Sequence, residues 1–192
     1  MNAARRAMAM LFDPAVEWAK IESESGDPAL VLSRYAAWLA IVPALSGFIG
    51  ASVIGATTPT GVIVRASLFD GVAGAIFGYV MSLAAVLVVA LVIDLMAPLF
   101  GGRRDFDSAF KLAVYSFTPV WLAGVFLLLP GLHFLMLTGF YGAYLAWLGL
   151  AQLIKLNPRR MLDFTALIVI AAFALLYITA ALQRAVFGTA GL

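Results

Sequence analysis

The stretch from Leu112 to Ile154 constrains the fold most, because its 43 residues include no charged side chain. The hydrocarbon core of a bilayer is about 30 Å thick and takes roughly 20 apolar residues of helix. The stretch is therefore too long for one span and long enough for two. Pro130 and Gly131 lie near its middle, where a tight turn must fall. We predict a hairpin of two transmembrane helices, over 112–129 and 132–154.

Further apolar stretches flank this hairpin on both sides. Apolar residues make up 64% of the chain and charged residues 11%, whereas an ordinary soluble domain is about 25% charged. This balance excludes a soluble fold and predicts an all-α polytopic membrane protein. Its single transmembrane domain, 35–192, has five expected spans, at about 35–55, 71–97, 112–129, 132–154 and 164–183.

The positive charges indicate how the five spans are oriented. Ten of the twelve Lys and Arg side chains fall in residues 1–34 and in the loops 94–111 and 155–163. An odd number of spans places these three segments on one side of the membrane. Short loops rich in Lys and Arg stay in the cytoplasm, so we predict a cytoplasmic N-terminus and an external C-terminus.

Residues 1–34 are predicted to form a cytoplasmic arm with one short amphipathic helix, a candidate interfacial helix. Asp13 and Pro14 suit the N-cap and first helical positions, and Phe12, Ala15 and Trp18 would form its apolar face. The stretch 13–27 carries five acidic residues and one Lys. Since anionic lipid would repel such a helix, docking on basic loops of this chain or of a partner is favoured.

Asp94 is the acidic residue expected closest to membrane depth. It lies near the end of the second span, where an anion is unfavourable and an unpaired carboxylate is costly. We therefore expect an ion pair with Arg103, Arg104 or Lys111 of the following polar loop. An ion or proton site and a solvated carboxylate are the alternatives.

The chain offers few groups for catalysis or metal binding. It has no Cys and a single His, His133, so no disulfide framework or thiolate metal site is possible. No hydrolase, metalloprotease or nucleotide-binding motif is present, and we predict no enzymatic activity, no cofactor and no nucleic-acid partner.

Small residues recur at helical spacing in two of the spans. Such stripes let helices approach closely, and packing within the chain is the favoured interpretation, with a homo-oligomer interface as the alternative. Gly78→Leu is then expected to destabilise the protein strongly. The stripes are Gly71, Gly74, Gly78, Ser82 and Ala85 in the second span, and Gly139, Gly142, Ala143, Ala146 and Gly149 in the fourth.

An ordered set of residues between 94 and 160 resembles the bacterial branch of the YIP (Ypt-interacting protein) domain family. The resemblance implies five spans, a cytoplasmic N-terminal arm and little chemistry; eukaryotic relatives are non-enzymatic scaffolds that bind membrane-traffic proteins. The residues that carry it are Ala97, Pro98, Leu99, Phe100, Gly101, Gly102, Phe106, Ala109, Phe110, Lys111, Tyr115, Ser116, Phe117, Thr118, Pro119, Leu122, Ala123, Gly124, Leu129, Pro130, Gly131, Tyr141, Tyr144, Gly149 and Leu150.

We expect a multi-pass protein of the bacterial inner membrane that acts as a scaffold or accessory subunit. Its partners would be membrane lipids and other integral membrane proteins, with a homo-oligomer also open. The candidate interaction surface comprises Glu17, Trp18, Glu22 and Glu24 of the arm, the loop 94–111 with Arg103 and Arg104, and the pair Arg159 and Arg160. A small-solute or ion channel is the alternative, and lipid binding or scrambling is a third hypothesis.

Overall fold

The computed structural model describes residues 2–24, 26–57 and 61–187 of the chain. Within them, five helices are long and apolar enough to cross a membrane. The prediction of an all-α polytopic protein with five spans is therefore confirmed. We number these spans one to five; they cover Pro28–Ile54, Leu68–Phe100, Phe106–Leu128, Gly131–Ile154 and Pro158–Val186.

Each span begins closer to the N-terminus than hydropathy predicts. The third span, for example, begins at Phe106 rather than near 112, and it includes the turn that carries Lys111. Hydropathy marks the part of a helix that lies in hydrocarbon, whereas the helical hydrogen bonds continue into the polar flanks. Lys111, predicted in a loop, is therefore a helical residue.

The arm forms two helices where the sequence predicts one. Ala3–Phe12 is followed at once by Pro14–Ser23, and Asp13 lies between them as the N-cap residue of the second helix. Pro14 lies in the first turn, as predicted, because its missing N–H has no helical partner there. The chain then enters the first span at Pro28.

The first two spans contain several helical geometries. The first has π turns at both ends of its α-helix, and the second is one long α-helix that ends in a 3₁₀ turn. A short antiparallel hairpin pairs Ala56–Thr57 with Ile63–Val64 between them; Thr58, Pro59 and Thr60 of the predicted loop lie outside the described residues. The segments are Pro28–Val31, Leu32–Ala36, Ala37–Phe48 and Ile49–Ile54, then Leu68–Met96 and Ala97–Phe100.

The third span breaks at Phe117, between the α-helices Phe106–Ser116 and Thr118–Ala123. Pro119 lies in the first turn of the second segment, where its missing N–H has no helical partner. A 3₁₀ segment, Gly124–Leu128, completes the span. This is the most enclosed span, with 67% of its central window buried against 33% or less in the other four.

The fourth span begins with eleven residues of 3₁₀ helix, and the fifth is a nearly continuous α-helix. The turn between the third and fourth spans falls at Leu129, whose carbonyl accepts from the Leu132 N–H at 2.8 Å. The segments are Pro130–Phe140, Tyr141–Gly149 and Leu150–Ile154 in the fourth span, then Pro158–Arg160 and Met161–Phe187. The tail 188–192 lies outside the described residues.

Candidate functional site

The arm is held together by a buried cluster around Arg6. One Arg6 Nη atom lies 2.7 Å from Glu17 Oε1, and the other is bonded to Glu24. Glu17 also accepts from Lys20 at 3.1 Å. Burial lowers the pKa of the Arg6 guanidinium, but the Glu24 hydrogen bond and the surrounding negative charge outweigh burial, and the pKa is raised. Arg6 therefore stays charged and ties both arm helices together.

Lys111 anchors the arm to the third span. Its Nζ atom donates to the carbonyl oxygens of Ile21 at 3.1 Å and Glu24 at 2.5 Å, and the residue is 7% exposed. The carbonyl groups at the end of an arm helix thus solvate a buried ammonium group. Lys111 was one of three cations expected to reach Asp94; it does not pair with Asp94, because its side chain points toward the arm.

Trp18 fills the contact between the arm and the bundle. It is 0% exposed, whereas Phe12 is 77% exposed and Ala15 is also exposed. The predicted apolar face of Phe12, Ala15 and Trp18 is therefore wrong, and the buried face carries Glu17, Trp18 and Ile21. The Asp13–Pro14 junction rotates Phe12 away from the helix that begins there.

Glycine in the fourth span makes room for this indole. A Cβ atom at Gly149 would lie 2.8 Å from Trp18 Cζ2 and 2.5 Å from Leu112 Cδ1. Real Cβ atoms do not approach so closely, so only glycine fits here. The arm is thus packed into the bundle, which agrees with docking on this chain's own segments.

Three further contacts fix the arm to the fourth span and to Lys155, the residue that follows it. Glu22 pairs with Lys155, Tyr141 donates through its hydroxyl to the Leu11 carbonyl at 3.0 Å, and the Gln152 amide approaches the Ala15 carbonyl at 3.4 Å. Each arm helix therefore has a polar contact with the same span. Tyr144, one turn after Tyr141, is 46% exposed and stacks on Trp147 instead.

The loop after the second span brings Asp94 and Arg104 together. Arg104 Nε lies 3.2 Å from Asp94 Oδ2, so Arg104 is the cation that reaches Asp94 among the three considered. Asp94 Oδ1 is buried and has no hydrogen-bond partner among the described residues. The pair places a positive charge close to the end of a helix where an anion is unfavourable.

Pro98, Gly101 and Gly102 shape this loop. Pro98 lies in the first turn of the 3₁₀ segment that ends the second span, and Gly101 has φ +81°, a conformation that favours glycine. A Cβ atom at Gly102 would lie 2.7 Å from Ile154 Cγ2. The next residue, Arg103, donates its N–H to the Ile154 carbonyl at 2.9 Å. The two basic loops therefore run side by side.

Asp105 begins the third span and pairs with Arg103. Arg103 Nη2 lies 2.5 Å from Asp105 Oδ2, and Ser108 donates to the same oxygen at 2.8 Å. Partial burial raises the pKa of the Asp105 carboxyl, but the hydrogen bonds from Ser108 and Arg103 outweigh burial. The pKa of Asp105 consequently lies below its ordinary value.

The adjacent loops form a band of exposed cations, which we call the basic rim. Arg103, Arg104 and Lys155 each expose more than half of the side chain while pairing with one carboxylate. Arg159 and Arg160 are exposed and make no ion pair within the described residues. The basic rim consists of Arg103, Arg104, Lys155, Arg159 and Arg160.

Polar groups inside the bundle pair mostly with one another. The Tyr35 and Thr118 hydroxyls lie 2.7 Å apart, and Trp121 Nε1 donates to Ser82 Oγ at 2.8 Å. Tyr115 packs its ring against Tyr35, with centroids 4.7 Å apart. Thr118, which precedes Pro119, thus bonds to the first span. Ser116 Oγ has no partner among the described residues.

The glycine stripes prove to have two different roles. A Cβ atom at Gly142 would lie 2.5 Å from the Ser116 carbonyl oxygen, so this glycine does allow close helix contact. A Cβ atom at Gly78 would have Gln183 Oε1 as its nearest neighbour, at 3.9 Å. Gly78 therefore does not allow a close helix contact of this kind, and it lines a crevice instead.

Several residues of the candidate site were not predicted from the sequence. No sequence feature distinguishes Arg6 from the adjacent Arg5, and Ile21 and Tyr35 lie within patterns typical of any apolar helix. The described residues include no group of three or more His, Asp or Glu side chains that could hold a metal ion. The backbone of Pro130 begins the 3₁₀ segment that leads into the fourth span, and His133 borders a crevice between the third, fourth and fifth spans.

Comparison with known proteins identifies the family. A model of the Yip1 domain matches residues 8–181. The chain is 33% identical over 132 residues to the inner membrane protein YohC of Escherichia coli strain K12, a match that covers 67% of this chain and 68% of that protein. YohC of E. coli O6:H1 strain CFT073 matches to the same extent. No solved structure matches.

The family match runs from the first arm helix to the fifth span and so includes both parts of the site. Five spans and similarity to an inner membrane protein agree with the predicted location in the bacterial inner membrane. The resemblance noted on residues 94–160 is thereby confirmed, and the chain belongs to the Yip1 domain family of membrane proteins.

Proposed function

We propose that this protein is a non-enzymatic scaffold that binds other membrane proteins through the basic rim. The preferred partner is an acidic segment next to a transmembrane helix. The observation that supports this most is the exposure of Arg159 and Arg160, which lack an ion pair within the described residues while neighbouring cations have one. Unpaired arginines suit carboxylate ligands because they bind them in bidentate geometry.

The acidic arm contributes to this surface in a different way from the one expected. Glu17 is 1% exposed and Glu24 pairs with Arg6, so neither is free to bind a basic partner. The arm instead supports the basic rim, since Glu22 contacts Lys155 directly. A surface fixed by buried contacts loses little conformational entropy when it binds.

The same contacts favour binding over catalysis or transport. Arg6 and Glu17 of the arm pair with each other, and Glu24 and Lys20 extend that cluster. In the bundle, the hydrogen bonds Tyr35–Thr118 and Ser82–Trp121 engage polar groups that a path for a polar solute would need. The arm also contacts the third span through Lys111 and the fourth span through Tyr141. These observations support a scaffold role, in which the packed bundle holds the basic rim in a fixed arrangement for binding.

Site-specific photocrosslinking tests the proposal. A photoreactive amino acid at Leu162, which is 75% exposed beside the basic rim, is expected to capture another membrane protein in cells. Arg159→Glu/Arg160→Glu should abolish that product by repelling an acidic segment. Arg5→Glu/Arg34→Glu makes the same change in charge outside the rim and should leave the product intact.

A second position serves as the control for non-specific capture. Tyr177 on the fifth span is 71% exposed, and a photoreactive group there should react with lipid. Products from position 162 that contain only lipid or a second copy of this chain would overturn the proposal. A protein product that survives the double charge reversal would do so as well.

A further inference from the structure

A crevice opens between the first, second, third and fifth spans, with Met136 of the fourth span also in its wall. Its volume is about 240 Å³, and its walls are mostly apolar. Asp70 and Arg184 line one end of it, where the second span begins and the fifth span ends, and we call this end the mouth. Ser82 and Trp121 lie at its inner end. The crevice therefore runs inward from the membrane surface opposite the arm.

The length of the crevice matches one leaflet of the bilayer. Asp70 and Ser82 are twelve positions apart on one α-helix, which corresponds to about 18 Å at 1.5 Å per residue. Half of the hydrocarbon core is about 15 Å thick. One extended acyl chain that enters at the mouth would thus reach the inner end.

The walls favour an acyl chain over a polar solute. Two glycines of the second span line the crevice without a close backbone contact, since a Cβ atom at Gly74 or Gly78 would approach only the Gln183 side chain, at 3.3 and 3.9 Å. At the inner end the Ser82 hydroxyl already accepts from Trp121 Nε1. The crevice therefore presents an apolar surface with its deepest polar groups satisfied.

The mouth carries two opposite charges that do not pair with each other. Asp70 accepts from the Ser67 hydroxyl at 2.6 Å, and Arg184 donates to the Ala180 carbonyl at 3.3 Å. Neither makes an ion pair within the described residues. Gln183 beside Arg184 approaches the Gly74 carbonyl at 3.5 Å, and so the two charged residues flank one opening.

We propose that this crevice binds one phospholipid with a zwitterionic amine headgroup, of the phosphoethanolamine class. Arg184 binds the phosphate, Asp70 binds the ammonium group, and one acyl chain lies along Gly74 and Gly78. A zwitterionic headgroup carries one negative and one positive charge, and these match the positive Arg184 and the negative Asp70 at the mouth. An anionic lipid would place its extra negative charge or hydroxyls beside Asp70.

Native mass spectrometry of the purified full chain tests this inference. After delipidation, phosphatidylethanolamine or phosphatidylglycerol is titrated in, and the bound fraction and the melting temperature are measured. Phosphatidylethanolamine should bind at one site and raise the melting temperature more than phosphatidylglycerol does. Arg184→Gln should weaken binding by about tenfold, the effect of losing one charged hydrogen bond.

Two variants separate the acyl-chain site from the headgroup site. Gly78→Leu fills the crevice and should abolish specific binding; Val80→Leu adds bulk on an exposed face of the same helix and should not. Asp70→Asn should remove the preference for phosphatidylethanolamine while the protein stays folded. Equal binding of the two lipids by the wild type would overturn the inference, as would wild-type affinity in Arg184→Gln. A second copy of the chain in place of lipid would also contradict it.

Discussion

The indole of Trp18 meets the ring of Tyr115 edge-on, with ring centroids 6.1 Å apart and planes at 87°. Trp18 belongs to the arm and Tyr115 to the most buried span. Together with the bonds from Lys111 to the Ile21 and Glu24 carbonyls, this contact makes the arm part of the folded bundle. A polar N-terminal segment thereby becomes the support for the basic rim.

Removing the Trp18 side chain should release the arm. Trp18→Ala is expected to lower the free energy of unfolding by about 3–5 kcal/mol, the range for truncating a buried large aromatic residue. Trp38 is 65% exposed, and Trp38→Ala is the matched control with a small effect. Thermal unfolding in detergent and trypsin cleavage at Lys20 give the two measurements. Equal losses in both variants would show that the arm is not packed as described.

The buried ion pair of the arm should matter more than the exposed one. The Glu17 and Arg6 side chains are 2% and 8% exposed, whereas those of Glu22 and Lys155 are 41% and 55% exposed. Glu17→Gln should therefore destabilise by about 3 kcal/mol, since it leaves a buried cation short of a partner. Glu22→Gln should cost about 1 kcal/mol or less. Chemical denaturation in mixed micelles compares the two losses, and a loss in Glu17→Gln no larger than that in Glu22→Gln would contradict the burial of Arg6.

The close contact between the third and fourth spans depends on Gly142. A methyl group there would lie 2.5 Å from the Ser116 carbonyl oxygen, whereas at Gly131 nothing lies within 4 Å. Gly142→Ala should destabilise by about 1–3 kcal/mol through overpacking, even though alanine favours helix formation. Gly131→Ala should be close to neutral. Melting temperatures of the two variants decide the matter, and a stabilised Gly142→Ala would contradict the packing described.

The pair of Asp105 and Arg103 predicts how stability depends on pH. The pKa of Asp105 is lower in the folded protein than its ordinary value of 3.8, so the folded state favours the carboxylate. This contribution is complete above pH 3.8 and disappears as the pH falls through the lowered pKa. The wild type should therefore exceed Asp105→Asn in stability at pH 7, and the difference should shrink below about pH 4.

Denaturation of both proteins at pH 7 and pH 3 measures this change. Asp107 lies in the same helical turn, and its carboxylate is exposed and makes no ion pair within the described residues. Asp107→Asn therefore controls for the loss of one negative charge. A difference between wild type and Asp105→Asn that grows on acidification would contradict the assignment.

The spans were predictable because bilayer thickness fixes helix length, and the run Leu112–Ile154 divides only one way. Local chemistry also placed Pro14 correctly at a helix start. The sequence predicted that Asp94 forms an ion pair, because an acidic residue at the C-terminal end of a helix needs a cation. Which of Arg103, Arg104 and Lys111 is the partner depends on the folded structure and could not be predicted.

The position of the arm could not be predicted from periodicity. Lys111 is buried because carbonyl groups 87 and 90 positions away solvate it, and no local pattern encodes such a contact. Gly78 and Gly142 occupy similar stripes, yet one borders a crevice and the other a neighbouring backbone. Spacing identifies a small-residue face but not what lies opposite.

The account depends most on which ends of the spans share a membrane surface, and the absence of native Cys makes this measurable. Single-cysteine variants Arg160→Cys and Arg184→Cys can be treated in cells with a thiol reagent that passes the outer but not the inner membrane. We predict labelling of Arg184→Cys in intact cells and of Arg160→Cys only after the inner membrane is disrupted. Labelling of Arg160→Cys in intact cells would place the arm and the basic rim outside the cytoplasm and would contradict the account.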